Sequence, residues 1–100
     1  DKGEHDMTLK IEVFTSPTCP HCPAAVNATE SLLEDNPELK EKVSWKEMNT
    51  RSEKGSRKAQ AYGIRSVPTI VMTNNKGEKG AYRGAPTSRQ YKNMVEEMLK

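Results

Sequence analysis

The sequence predicts an α/β domain in the order β-α-β-α-β-β-α, a mixed four-stranded sheet flanked by three helices. Three observations predict it. β-prone and helix-periodic stretches alternate through the first two-thirds of the chain, and strand–helix–strand units pair in parallel. The run Asn74-Asn75-Lys76-Gly77 then joins two strands at hairpin distance and adds an antiparallel pair. Finally, 100 residues that are 33% hydrophobic and 30% charged supply one modest core under a heavily charged surface. A single domain is expected over residues 7–100, with a flexible tail over residues 1–6.

The first strand is expected from Met7 to Thr15, with Leu9, Ile11 and Val13 on one side and Lys10, Glu12 and Phe14 on the other. Ser16-Pro17-Thr18 breaks it. A helix should then run from about Cys19 to Asp35, carrying Ala25, Val26, Leu32 and Leu33 at helical spacing. Pro20 would hold its first position, where a missing N–H costs nothing. Pro23 is awkward in such a helix, because it crowds the Cys19 carbonyl. Asn36-Pro37 stops the helix, since a residue before proline avoids helical geometry.

Val43 to Met48 reads as the second strand, with Val43 and Trp45 on one face. Ser52 to Tyr62 reads as the second helix, weakened by Gly55 and closed by Gly63 in a left-handed conformation. Val67 to Thr73 is the most strand-like run, and Glu78 to Arg83 is its polar return strand at the sheet edge. The last helix spans Thr87 to Leu99. Thr87 and Gln90 have capping-box spacing, and Tyr91, Met94, Val95, Met98 and Leu99 form its apolar stripe.

Sixteen basic against fourteen acidic residues leave a formal charge of +2, too balanced to indicate nucleic acid or an anionic membrane surface. The densest basic stretch, Arg51 to Lys58, also contains Glu53 and reads as a solvated helix face. No apolar run approaches the roughly 20 residues that span a bilayer. The opening residues lack the apolar stretch of a secretory signal.

The two cysteines, Cys19 and Cys22, carry the chemical signal. A bridge between them closes too short a loop to stabilise the fold much, so its use reads as chemical. A thiol at a helix N-terminus meets free N–H groups and the positive end of the helix dipole, which lower its pKa from about 8.5 toward or below neutrality. Cys22, three residues on, falls within bridging reach on the same face and should be the more buried thiol. Cys19 is then the nucleophile that forms a mixed disulfide, and Cys22 resolves it. Between them, Pro20 presets the backbone and His21 adds positive charge beside the thiolate, or is an exposed spacer. Zinc sites share the Cys-x-x-Cys spacing but need two further ligands, and only His5 and His21 are histidines. No metal or cofactor is expected. An inert buried cysteine pair fits poorly with an exposed, electropositive helix start.

Three pieces occur in order: Val13-Phe14-Thr15-Ser16-Pro17-Thr18-Cys19-Pro20-His21-Cys22-Pro23, Tyr62-Gly63-Ile64-Arg65-Ser66-Val67-Pro68-Thr69 and Tyr82-Arg83-Gly84-Ala85. With them the chain resembles the thioredoxin/glutaredoxin family over residues 7–100, and most of all its small, glutaredoxin-sized members from archaea and anaerobes. The resemblance implies the thioredoxin fold and a protein disulfide reductase that needs no cofactor. It implies a cis Val67–Pro68 bond, with Pro68 beside the cysteines and the Val67 backbone free to pair with an extended substrate. Thr18 and Gly84 would complete the substrate contacts. The implied partners are disulfide-containing proteins and an upstream thiol- or flavin-dependent reductase, with no nucleic acid or membrane, for a monomer in the cytoplasm.

The chain departs from the family in two places. Thioredoxins carry a buried aspartate six residues before the first cysteine; here that residue is Val13, and the neighbouring Glu12 is expected to be partly exposed on the opposite face. Arg83-Gly84-Ala85-Pro86-Thr87-Ser88 lacks the paired glycine and aspartate of glutathione-binding glutaredoxins. The Pro20-His21 dipeptide matches that of periplasmic disulfide oxidases. A disulfide oxidase or isomerase therefore stays open beside the reductase, as does a non-catalytic metal-binding or scaffold domain.

Overall fold

A computed structural model of the chain describes residues 9–99. The expected tail, with Met7 and Thr8 of the first strand, lies outside the described residues. The elements are β1 (Leu9–Thr15), α1 (Cys22–Asp35), α2 (Pro37–Lys40), β2 (Val43–Asn49), α3 (Glu53–Tyr62), β3 (Thr69–Asn74), β4 (Lys79–Arg83) and α4 (Ser88–Leu99). The described residues thus hold four helices rather than the expected three. The addition, α2, is a single turn that Pro37 opens without losing a hydrogen bond and that buries Leu39.

The sheet order is β2-β1-β3-β4. β1 and β2 are parallel, with Leu9 opposite Val43 and Val13 opposite Glu47. β3 runs antiparallel to both β1 and β4, and places Thr69 opposite Arg83. Leu9, Ile11 and Val13 are fully buried on one face, packed with Ala25, Leu32 and Leu33 of α1 and Tyr91 and Val95 of α4. The Tyr91 hydroxyl pairs with that of Thr29 at 2.6 Å, and burial pushes its pKa up to about 12. The second face packs Phe14, Met48 and Val71 against Ala59 of α3.

Caps set the helix ends. Ser52 Oγ accepts the Gly55 N–H at 3.0 Å and donates to the Asn49 carbonyl at 2.7 Å, so α3 starts one residue later than expected. Gly63 closes it with φ of 71°. Gly55 is a requirement rather than a weakness, since a Cβ there would overlap the Asn49 carbonyl. Thr87 and Gln90 form the full capping box, at 3.2 and 3.1 Å, ahead of α4.

The largest correction concerns Glu12. Alternation places it on the α3 face, but it is fully buried there rather than partly exposed. Its carboxylate accepts from Lys58 Nζ at 3.0 Å and from the Tyr62 hydroxyl at 2.9 Å. Burial alone would raise the Glu12 pKa, but the bonds from Lys58 and Tyr62 outweigh it and hold the carboxyl below its ordinary value.

Candidate active site

β1 ends at Thr15, and the chain bends so that the Cys19 N–H donates to the Ser16 carbonyl at 3.1 Å. Ser16 Oγ accepts the Thr18 N–H at 3.4 Å and lies 3.3 Å from the Thr18 hydroxyl. α1 begins at Cys22, not at Cys19, and the first bond into it runs from the Ala25 N–H to the His21 carbonyl at 3.4 Å. Pro20 therefore lies in the turn before the helix. Pro23 explains the late start: within the first turn of α1 it loses no hydrogen bond, whereas a helix from Cys19 would drive its ring into the Cys19 carbonyl.

Cys19 and Cys22 are joined in a disulfide with their Cα atoms 5.5 Å apart. The bridge ties Cys19 to the first residue of α1. Cys22 is 4% exposed, while Cys19 is half-buried and open to solvent on one side. The Cys22 and Ala24 N–H groups precede the first intrahelical bond, so the positive end of α1 lies at the sulfur pair. His21 is the N-cap; its side chain makes no capping bond and is exposed, as are Pro20 and Thr18.

A cavity of about 450 Å³ borders the disulfide, walled by Thr15, Ser16, Cys19, Cys22, Val26 and Glu47 among others. The Thr15 hydroxyl donates to the Glu47 carboxylate at 2.7 Å. Sequence reasoning missed Glu47. Its place follows from the β1–β2 register, which sets it opposite Val13 and which no local pattern encodes.

The Val67–Pro68 bond is cis. Pro68 is buried, and its carbonyl accepts the Gly84 N–H at 2.8 Å. Gly84 has φ of 101°, a conformation that side chains disfavour. A second cavity, about 250 Å³, has Ser16 on one wall and Ser66 and Val67 on another. Val67, Pro68 and Gly84 thus cluster together, and Ser16 links them to the cysteine loop. Among the described residues no group of three or more His, Cys, Asp or Glu side chains could hold a metal, and His5 lies outside them. No helix among the described residues is long and apolar enough to cross a membrane.

A disulfide pair at a strand-to-helix junction, in a fold that also carries a cis-proline loop before β3, defines a thiol–disulfide oxidoreductase. The Thioredoxin family profile matches residues 4–97, and the chain belongs to the thioredoxin family. It is 36% identical over 91 residues to the thioredoxin of Methanocaldococcus jannaschii, covering 91% of this chain and 96% of that protein. A probable thioredoxin of Archaeoglobus fulgidus is 26% identical over 90 residues, which cover 90% of this chain and 89% of the relative. The fold matches a mutant thioredoxin from Halobacterium salinarum with a TM-score of 0.75 at 22% identity, over 100% of this chain and 82% of that one. It also matches oxidised thioredoxin O2 of Arabidopsis thaliana with a TM-score of 0.74 at 18% identity, over 94% and 77%. The relatives support exchange chemistry, and the structural matches support the fold.

Proposed function

We propose that the chain is a protein disulfide reductase in which Cys19 attacks and Cys22 resolves. The Cys19 thiolate attacks a substrate disulfide, forming a Cys19–substrate bond and expelling one substrate thiolate. Cys22 then loses its proton and attacks the Cys19 sulfur, releasing the second substrate thiol and leaving the Cys19–Cys22 disulfide. Two electrons pass from the pair to the substrate. The observation that carries these roles is the difference in burial across one bridge: Cys19 is only partly buried, while Cys22 is 4% exposed.

Pro20 and His21 tune the pair in this assignment. The backbone of Val67, braced by Pro68 and Gly84, receives the substrate strand, and Thr18 borders it. The proposal places the protein in the cytoplasm as a single-domain monomer that serves electron transport and redox homeostasis. An upstream thiol- or flavin-dependent reductase recharges it. Having both cysteines in one exchange pair suits a reducing compartment.

Catalysed reduction of a protein disulfide tests the proposal. Activity should vanish in Cys19→Ser, and Cys22→Ser should accumulate mixed disulfides on Cys19. Cys19→Ser retaining full activity would refute it. The exposed His21 beside the pair favours a second assignment, an oxidase or isomerase. The reduction potential separates them: about −270 mV indicates a reductase, and about −120 to −180 mV an oxidant or isomerase.

A further inference from the structure

Next to the cavity shared by Ser16 and Val67 lies another of about 330 Å³, with Ser66, Thr69, Ala81, Arg65 and Arg83 among its walls. Ile64, Arg65 and Ser66 belong to both, so the depressions join wall to wall. Ser16 in turn belongs to the cavity that holds Cys19. Neighbouring depressions with shared wall residues therefore lie between the disulfide, Val67 and the two arginines.

The register fixes the arginines around the cis-proline loop. Arg65 lies two residues before Val67, and Arg83 sits opposite Thr69, the residue after Pro68. The Gly84–Pro68 hydrogen bond holds the end of β4 against that loop. Thr69 and Arg83 share the sheet face of Val71 and Ala81, which α3 covers only in part. Both arginines are exposed, and among the described residues neither side chain has a hydrogen-bond or ion-pair partner. No carboxylate lines either cavity. Two uncompensated arginines around a depression without acidic groups are complementary to a carboxylate.

We propose, resting on the exchange activity assigned above, that Arg65 and Arg83 form a specificity pocket for an acidic side chain of the protein substrate. A substrate strand paired with the Val67 backbone sends alternate side chains to opposite faces. One of those near its cysteine then enters the arginine pocket. Acidic segments flanking a disulfide are the preferred substrate class, and Arg65 and Arg83 are positioning residues rather than participants in the sulfur chemistry.

Synthetic peptides with one internal disulfide test this, carrying Asp or Asn at each position flanking a cysteine in turn. At one flanking position the Asp peptide should show a KM about three- to fivefold lower at low salt, as expected for partly exposed ion pairs. The preference should fade toward parity near 1 M salt, where the screening length falls to about 3 Å. The Arg65→Gln/Arg83→Gln enzyme should lose the preference at low salt, and Arg65→Lys/Arg83→Lys should restore part of it. Reduction of all peptides with equal KM at every salt concentration would leave the exchange activity standing and overturn the pocket. A preference that survives the double glutamine variant would also overturn it. Turnover of no peptide would overturn the exchange activity itself, and the pocket with it.

Discussion

Replacing Lys58 by methionine keeps the length and helix propensity of the side chain but strips the Glu12 carboxylate of its cationic partner. Glu12 is fully buried, and the Lys58 side chain is 31% exposed, so the pair is closed at one end and wet at the other. Breaking a wholly buried pair costs about 3–5 kcal/mol, whereas exposed pairs contribute under about 1 kcal/mol. An intermediate loss of about 2 kcal/mol is expected at pH 7. With a urea slope of about 1–2 kcal/mol/M, the unfolding midpoint should fall by about 1–2 M. The pH dependence is the sharper readout. In the native protein the Glu12 carboxyl is held below its ordinary value, so its contribution is present above the unfolded carboxyl pKa near 4.3 and is lost as pH falls through the folded value. Without Lys58, the Tyr62 hydroxyl and Lys10 still oppose burial, but the largest opposing bond is gone and the folded pKa rises. Protonation of Glu12 then relieves the variant sooner than the native protein, and the Lys58→Met deficit should narrow as pH falls from 7 toward about 4.5. Urea titrations of both proteins at pH 7, 5.5 and 4.5 measure this. A deficit that stays constant across the series, or no deficit at pH 7, would refute the reasoning.

Three other expectations are independent of that pair. Tyr91→Phe removes the hydroxyl paired with Thr29, while Thr29 keeps its bond to the Ala25 carbonyl at 3.0 Å; a loss of about 1 kcal/mol with an unchanged denaturant slope is expected. Gly55→Ala should lower the melting temperature, by about 1–3 kcal/mol of overpacking against the Asn49 backbone, where helix propensity alone would give a gain of about 1 kcal/mol. Gly84→Ala, at a φ of 101°, should cost about 1–3 kcal/mol by chemical denaturation and should raise KM for protein disulfides by loosening the Pro68 contact.

Much of the fold was legible because its signals are local. The apolar alternation of β1, the Asn36-Pro37 stop, the Gly63 cap, the Asn-Asn-Lys-Gly hairpin and the Thr87–Gln90 box each act within a few residues. The start of α1 differs from the expected Cys19 because a steric signal in the sequence, Pro23, overrides the preference for a cysteine at a helix end. Pro23 forbids a helix beginning at Cys19. Glu12 was misjudged for another reason. Its face was readable, but its burial depends on Lys58 and Tyr62, which lie 46 and 50 positions away and arrive only when α3 crosses the sheet. At the site, Cys19 and Cys22 were visible as a spacing, and Val67, Pro68 and Gly84 through family resemblance. Glu47 and the Arg65–Arg83 pocket depend on strand register and on the contact between β4 and the cis-proline loop, so no window of sequence contains them.

Thiolate absorbance of the reduced, folded protein, followed against pH with Cys22→Ser and Cys19→Ser as references, tests the central claim most directly. The Cys19 thiol, tied to the opening residue of α1, should ionise below about pH 7.5, with Cys22 following at least one unit higher. Ionisation of Cys19 near 8.5, as in an unstructured peptide, would contradict the claim that the helix end activates this sulfur.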